Sequence, residues 1–218
     1  MTKENLFKEY QNQRWSFSTF NDVDVAAVSS EFNIDDLHAK VLIHNVETAD
    51  SKKIREVLHP SNKYLHDYAD ISSEDQLKKA IQRVKKAQKN QEHILINGDP
   101  DADGTCGTTI LVAGLRQMGI KTSYAFPIRP VEGHGLQVRI IDEAKENGAS
   151  LIITTDCGTK DIEAVQYANE CGIDVIITDH HLLGNTLPNA HAIINPFMLK
   201  KDSHFKSISG ASVAYKFV

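Results

Sequence analysis

With 218 residues, 41% of them hydrophobic and 24% charged, the chain has globular composition and enough length for one sizeable α/β domain with an attached arm. Its net charge of −5 excludes a surface that is basic throughout, although a local basic groove remains compatible with it. No apolar run approaches the roughly 18 residues of a transmembrane span, and the polar start MTKENLFKEYQNQRW lacks the apolar centre of a signal peptide; a cytoplasmic protein without membrane contact is expected.

Residues 1–70 read as a small, mostly helical N-terminal accessory segment. Val23–Val28 and Leu37–Val46 are its amphipathic pieces, and Trp15 and Phe17 are expected to plug the edge of a core. Residues 71–218 read as one domain. Ser73 and Gln76 have the spacing of a capping box, and Leu77, Ile81 and Val84 then recur at helical period. The other face of that helix carries Lys78, Lys79, Arg83, Lys85, Lys86 and Lys89, either a solvated face or one that tracks phosphates.

Strand and helix then alternate. Strands are expected at His93–Ile96, Thr122–Phe126, Ser150–Thr155 and Asp174–Thr178, and helices near Thr105–Met118, Val138–Asn147 and Asp161–Cys171. Continuously apolar strands in such an alternation imply an α/β fold, a parallel β-sheet covered by helices on both faces. Ligands of open parallel sheets bind beyond the carboxyl ends of the strands, and three of these strands run straight into aspartates.

The first acidic stretch is Asp99-Pro100-Asp101-Ala102-Asp103-Gly104. Three carboxylates at alternate positions repel one another unless a cation neutralises them, and oxygen ligands suit Mg²⁺, Mn²⁺ or Ca²⁺. An EF-hand is excluded, because Ile110 stands where its twelfth-position Glu is needed and an apolar strand precedes the loop. Thr178-Asp179-His180-His181 puts imidazoles beside a carboxylate, a donor set for Mn²⁺, Fe²⁺ or Zn²⁺. Asp156, in Asp156-Cys157-Gly158, lies between the two and could bridge a pair of ions acting on a phosphate ester. His134, between Gly133 and Gly135, sits where backbone can approach a substrate, whereas His38, His44, His59, His66, His93, His191 and His204 show no ligand spacing. Cys106, Cys157 and Cys171 are odd in number and lack CxxC spacing, as thiols of a reducing compartment do.

These motifs resemble, in order, those of the DHH phosphoesterase superfamily and within it the RecJ single-strand-specific exonucleases. The residues that carry the likeness are Ile96 to Gly104, Glu132 to Leu136, Ile153 to Gly158, Thr178 to His181, Ile193 to Pro196 and Ile208 to Lys216. The resemblance implies a metal-dependent nuclease that hydrolyses single-stranded DNA from the 5′ end with two Mn²⁺ or Mg²⁺ ions. It implies metal ligation by Asp101, Asp103, Asp156 and His180, catalytic roles for these with Asp179 and His181, and Asn97 and Asp99 in their immediate surroundings. Asn97 stands where many such enzymes have a His ligand, and an amide there is expected to weaken one metal. Arg129 and the segment Gly133-His134-Gly135 are expected to bind substrate, a surface arginine being the alternative for Arg129. Members of the superfamily that act on short oligonucleotides or cyclic dinucleotides, and impaired modules that only bind DNA or a protein partner, are the competing readings. Family members continue past the equivalent of Val218 with a fourth-motif Asp ligand, so the chain is expected to be a piece of a longer protein.

Overall fold

In the computed structural model, residues 19–61, 71–199 and 208–218 are described; Trp15, Phe17, His66 and His204 lie outside the described residues. The chain divides into two compact units, Met1–His66 and Asp67–Val218.

Among the described residues the first unit contains three helices: α1 (Asp22–Phe32), α2 (Asp36–Val46) and α3 (Ser51–Leu58). Asn21, Asp35 and Asp50 cap them, each side chain accepting a backbone N–H of the first turn. Asn33 and Glu47 end α1 and α2 in the left-handed conformation. Val25, Val28, Ala39 and Ile54 form the small core. Sequence periodicity indicates the first two helices; α3, only eight residues long, gives too short a period to read.

In the second unit α4 (Glu74–Lys89) precedes β1 (His93–Gly98), α5 (Ala102–Gln117), β2 (Lys121–Ala125), the short α6 (Arg129–Glu132) and α7 (Val138–Glu146). β3 (Ala149–Thr155), α8 (Ile162–Glu170), β4 (Asp174–Thr178), β5 (Ala192–Ile194) and α9 (Gly210–Phe217) follow. The five strands are all parallel, in the order β2-β1-β3-β4-β5. Alternate residues of the central strands feed two cores. Ile94, Ile96, Ile153 and Ile176 pack with Leu77, Val84, Leu111, Leu115 and Val213 of α4, α5 and α9. Leu95, Ile152, Val175 and Ile177 pack with Ile140, Ile141 and Val165 of α7 and α8 on the other face. Each such fully buried side chain contributes roughly 1.5–3 kcal/mol, which is why the central strands are apolar without interruption.

Two expectations change and one strand is added. The Ser73–Gln76 capping box does not form: Ser73 makes no side-chain cap bond. Gln76 instead accepts the Ile193 N–H at 2.8 Å, and Ser72 Oγ donates to the Ile193 carbonyl at 3.1 Å. Ile193 belongs to β5, a three-residue edge strand whose outer N–H and C=O need partners, and two side chains supply them. β5 itself is too short to stand out in the sequence. Arg83, read as part of the basic face, is 5% exposed; its guanidinium pairs with Glu92 and Asp174 and donates to the Ser150 carbonyl. Lys78 and Lys79 make i,i+4 pairs with Glu74 and Asp75 on the solvated side.

Candidate metal centre

Three strands end in the same way. Asp99 donates its N–H to the Thr155 carbonyl, Asp156 to that of Thr178 and Asp179 to that of Ile194. One more ladder bond per strand therefore places Asp99, Asp156 and Asp179 side by side at the carboxyl edge of the sheet. All three are at most 7% exposed.

Asp101 caps α5, accepting the Gly104 N–H at 3.0 Å. Asp103, in the first turn, accepts the Gly210 and Ala211 N–H groups at 2.8 Å each, so it docks the N-terminus of α9. Gly210 lies so close to Asp156 that an added Cβ would stand 2.6 Å from its Cβ and Oδ1; only glycine lets α9 abut that carboxylate.

Asp179 orients the histidine pair. Its Oδ1 accepts the N–H groups of His180 (2.7 Å) and His181 (3.1 Å) and lies 2.8 Å from His181 Nδ1, while Oδ2 accepts the Thr159 N–H at 3.1 Å. Burial alone would raise this carboxyl, but the bonds from His181 and Thr159 outweigh it and hold it at about 2. Asp179 in turn raises the pKa of His181, partly offset by burial. The Asn195 amide bonds the Thr159 hydroxyl and the His181 carbonyl at 3.1 and 3.0 Å, which gives the Ile193–Pro196 stretch its place behind the site.

Asp156 is the least comfortable residue. It adopts φ 61°, a region Asp tolerates better than most residues. Burial, then the charges of Asp103 and Asp101, push its carboxyl up to about 7. Its Oδ1 is buried and accepts no hydrogen bond, although His180 Nε2 is 2.9 Å away. A carboxylate oxygen and an imidazole nitrogen that crowd one space without a hydrogen bond fit a shared cation. Two groups of possible ligands meet here, Asp156 with His180 and His181, and Asp156 with Asp99 and Asp101, the ligand atoms within each group lying within 4.8 Å of one another. Asp156 belongs to both.

Asp103 and Asn97 fall outside those groups. Asp103 Oδ2 is 3.6 Å from His180 Nε2. The Asn97 amide donates to Cys157 Sγ at 3.4 Å, and its oxygen is buried without a partner. Burial pushes the Cys157 thiol up, so it is a neutral neighbour. His93 is the ordinary residue expected, its ring nitrogens satisfied by Asn147 O and Ser123 Oγ.

A cavity of about 350 Å³ opens over Asp99, Asp101, Asp156 and Asp179. Arg129 and His134 line it from one segment, and His134 Nδ1 is 3.1 Å from Asp99 Oδ1. Gly133 and Gly135, with φ of 81° and 80°, flank that histidine. The segment is pinned at both ends. Glu132 accepts the Ile128 N–H and pairs with Arg139, whose guanidinium also donates to the Phe126 carbonyl. Asp161 accepts the Leu136 N–H at 2.6 Å. Asp161 and Lys160 line the cavity too and went unread in the sequence, because Asp161 there looks like a plain helix start.

The DHH family, N-terminal domain, matches residues 93–218. The single-stranded-DNA-specific exonuclease RecJ of Bacillus subtilis is 33% identical over 204 residues, covering 93% of this chain and 25% of the relative. RecJ of Salmonella typhimurium is 42% identical over 137 residues, 62% of this chain and 24% of the relative. The crystal structure of exonuclease RecJ bound to manganese superposes with a TM-score of 0.60 at 33% identity, over 68% of this chain and 37% of that one. The chain thus spans about a quarter of the length of these curated relatives. Its strand-end aspartates and its Asp179-His180-His181 run lie inside the matched stretch, and the chain belongs to the DHH family.

Proposed function

We propose that the cluster is a two-cation phosphodiesterase centre, and that the chain hydrolyses single-stranded DNA from the 5′ end with Mn²⁺ or Mg²⁺. The observation that carries this is Asp156, which is common to both ligand groups and has a buried oxygen without a hydrogen bond. The manganese-bound RecJ structure supports the choice of ion. Asp99 and Asp101 would hold one cation with Asp156, and His180 the other. Asp103 would assist at the second through lone pairs that its bonds to α9 leave free. When bound, such a pair supplies an activated water and neutralises the charge that builds on the attacked phosphate.

The chain's own side chains do the remaining work. His181, oriented through Nδ1 by Asp179, presents Nε2 to the cavity as hydrogen-bond donor to the phosphate or proton donor to the leaving oxygen. Arg129 grips a substrate phosphate, and Gly133 and Gly135 let the strand approach the backbone beside His134. Asn97 holds the Cys157 turn from beneath. Three free cysteines support a cytoplasmic setting, and among the described residues no helix is long and apolar enough to cross a membrane.

End-labelled oligothymidylate incubated with the chain and Mn²⁺ tests the reading. Expected is release of nucleotides from the 5′ end, lost in Asp156→Asn by more than the roughly hundredfold that outer-shell changes cost. Cleavage of dinucleotides alone would contradict the single-strand assignment. Mn²⁺ uptake without hydrolysis of either would mark a binding module.

A further inference from the structure

The two ligand groups that meet at Asp156 differ in donor type. One has His180 and His181 beside the carboxylate, whereas the other, with Asp99 and Asp101, offers oxygen alone. Asn97, two residues before Asp99, brings no imidazole to it and has turned its amide to Cys157. Among the described residues the Asp99 carboxylate has one hydrogen-bond or ion-pair partner, His134, whose Nδ1 stands 3.1 Å from Oδ1. That imidazole is 61% exposed, yet the backbone that carries it is firmly held. Gln137 Nε2 donates to the His134 carbonyl at 2.6 Å, and Asp161 accepts the Leu136 N–H. Gly135 presses on Asp161 so closely that an added Cβ would stand 2.4 Å from its Oδ2. An open side chain on so fixed a turn is placed for what it reaches, and it reaches Asp99.

Resting on the two-cation reading above, we propose that His134 is the imidazole ligand of the cation held by Asp99, Asp101 and Asp156. Two donors at about 2.1 Å on adjacent corners of an octahedron stand about 3 Å apart, which is the separation of His134 Nδ1 and Asp99 Oδ1. Asp156 Oδ1, buried without a hydrogen bond, is the independent sign that a cation belongs among these groups. Each cation then has one imidazole, His180 on one side of Asp156 and His134 on the other. The consequence is selectivity. Mg²⁺ keeps to carboxylates and water, whereas a first-row transition ion such as Mn²⁺ also takes imidazole. His134 therefore sets the Asp99 side for Mn²⁺ over Mg²⁺.

Calorimetry of the metal-free full chain, titrated with Mn²⁺ and separately with Mg²⁺, gives the test. In His134→Ala one of the two Mn²⁺ sites should weaken by at least the roughly tenfold that a lost outer-shell partner costs, while Mg²⁺ affinity stays unchanged. His134→Gln separates ligation from mere support. Its amide can still donate to Asp99 but is a poor Mn²⁺ ligand, so it should lose as much as His134→Ala. Full Mn²⁺ affinity in His134→Gln, or loss of Mn²⁺ and Mg²⁺ binding in equal measure, would make His134 a support for Asp99 and overturn the ligand, leaving the two-cation centre standing. A wild-type chain that takes up no Mn²⁺ would sink both.

Discussion

Asp156 concentrates the physics of the site in one residue. It sits at φ 61°, donates its N–H to the Thr178 carbonyl, and keeps its carboxyl pushed up to about 7. Because this folded value lies above the unfolded one of 3.8, its contribution to stability is intact at low pH and is lost as pH rises through about 7. Thermal melts of the metal-free chain should therefore fall in Tm between about pH 4 and pH 7. Asp156→Asn, which tolerates the same backbone and cannot ionise, should flatten that fall and abolish stabilisation by Mn²⁺; a wild-type Tm independent of pH would contradict the assignment. Cation binding must expel the proton, so Mn²⁺ affinity should rise over the same window. Gly210 acts on the same carboxylate from α9. Gly210→Ala should weaken Mn²⁺ binding by roughly ten- to hundredfold, read by calorimetry.

At the scale of elements, the sheet separates stability from chemistry. At its amino end Arg83 ties α4 to β4 and to the turn before β1 through Asp174 and Glu92. Burial works against Glu92, but bonds from Ser150, Asn90 and Arg83 hold its carboxyl at about 2. Arg83→Ala leaves both acids without their cation and should cost about 3–5 kcal/mol in chemical denaturation, while Mn²⁺ affinity of the folded chain stays unchanged. At the carboxyl end the segment with Arg129 and His134 is fixed by Arg139 and Asp161. Arg139→Ala should raise KM for oligothymidylate several-fold more than it lowers kcat; the reverse split would place Arg139 in the chemistry. Strands β1, β3 and β4 were legible because both faces are buried and their runs are apolar without a break. β5 was not, since Ala192–Ile194 carries too few residues to show a period. Arg83 was misread for a related reason. A charge in a lysine-rich run looks solvated, and only tertiary structure reveals that Asp174 and Glu92 draw it inward.

Across the whole molecule, the gathering of these residue types at strand ends was legible, and the contacts that each makes there were not. Asp99, placed in the surroundings by resemblance, lies with Asp101 and Asp156 in one group of possible ligands, whereas Asp103 accepts two N–H groups of α9. The Asp103 contact depends on residues 107 positions apart meeting, which no local pattern encodes. The central claim is that Asp156 is shared by two cations. Crystals of the chain grown with Mn²⁺ and measured at the manganese absorption edge address it directly. The account predicts two anomalous peaks roughly 3.5–4 Å apart, one on each side of the Asp156 carboxylate, one toward Asp99 and Asp101 and the other toward His180. A single peak away from Asp156, or none at saturating Mn²⁺, would contradict it.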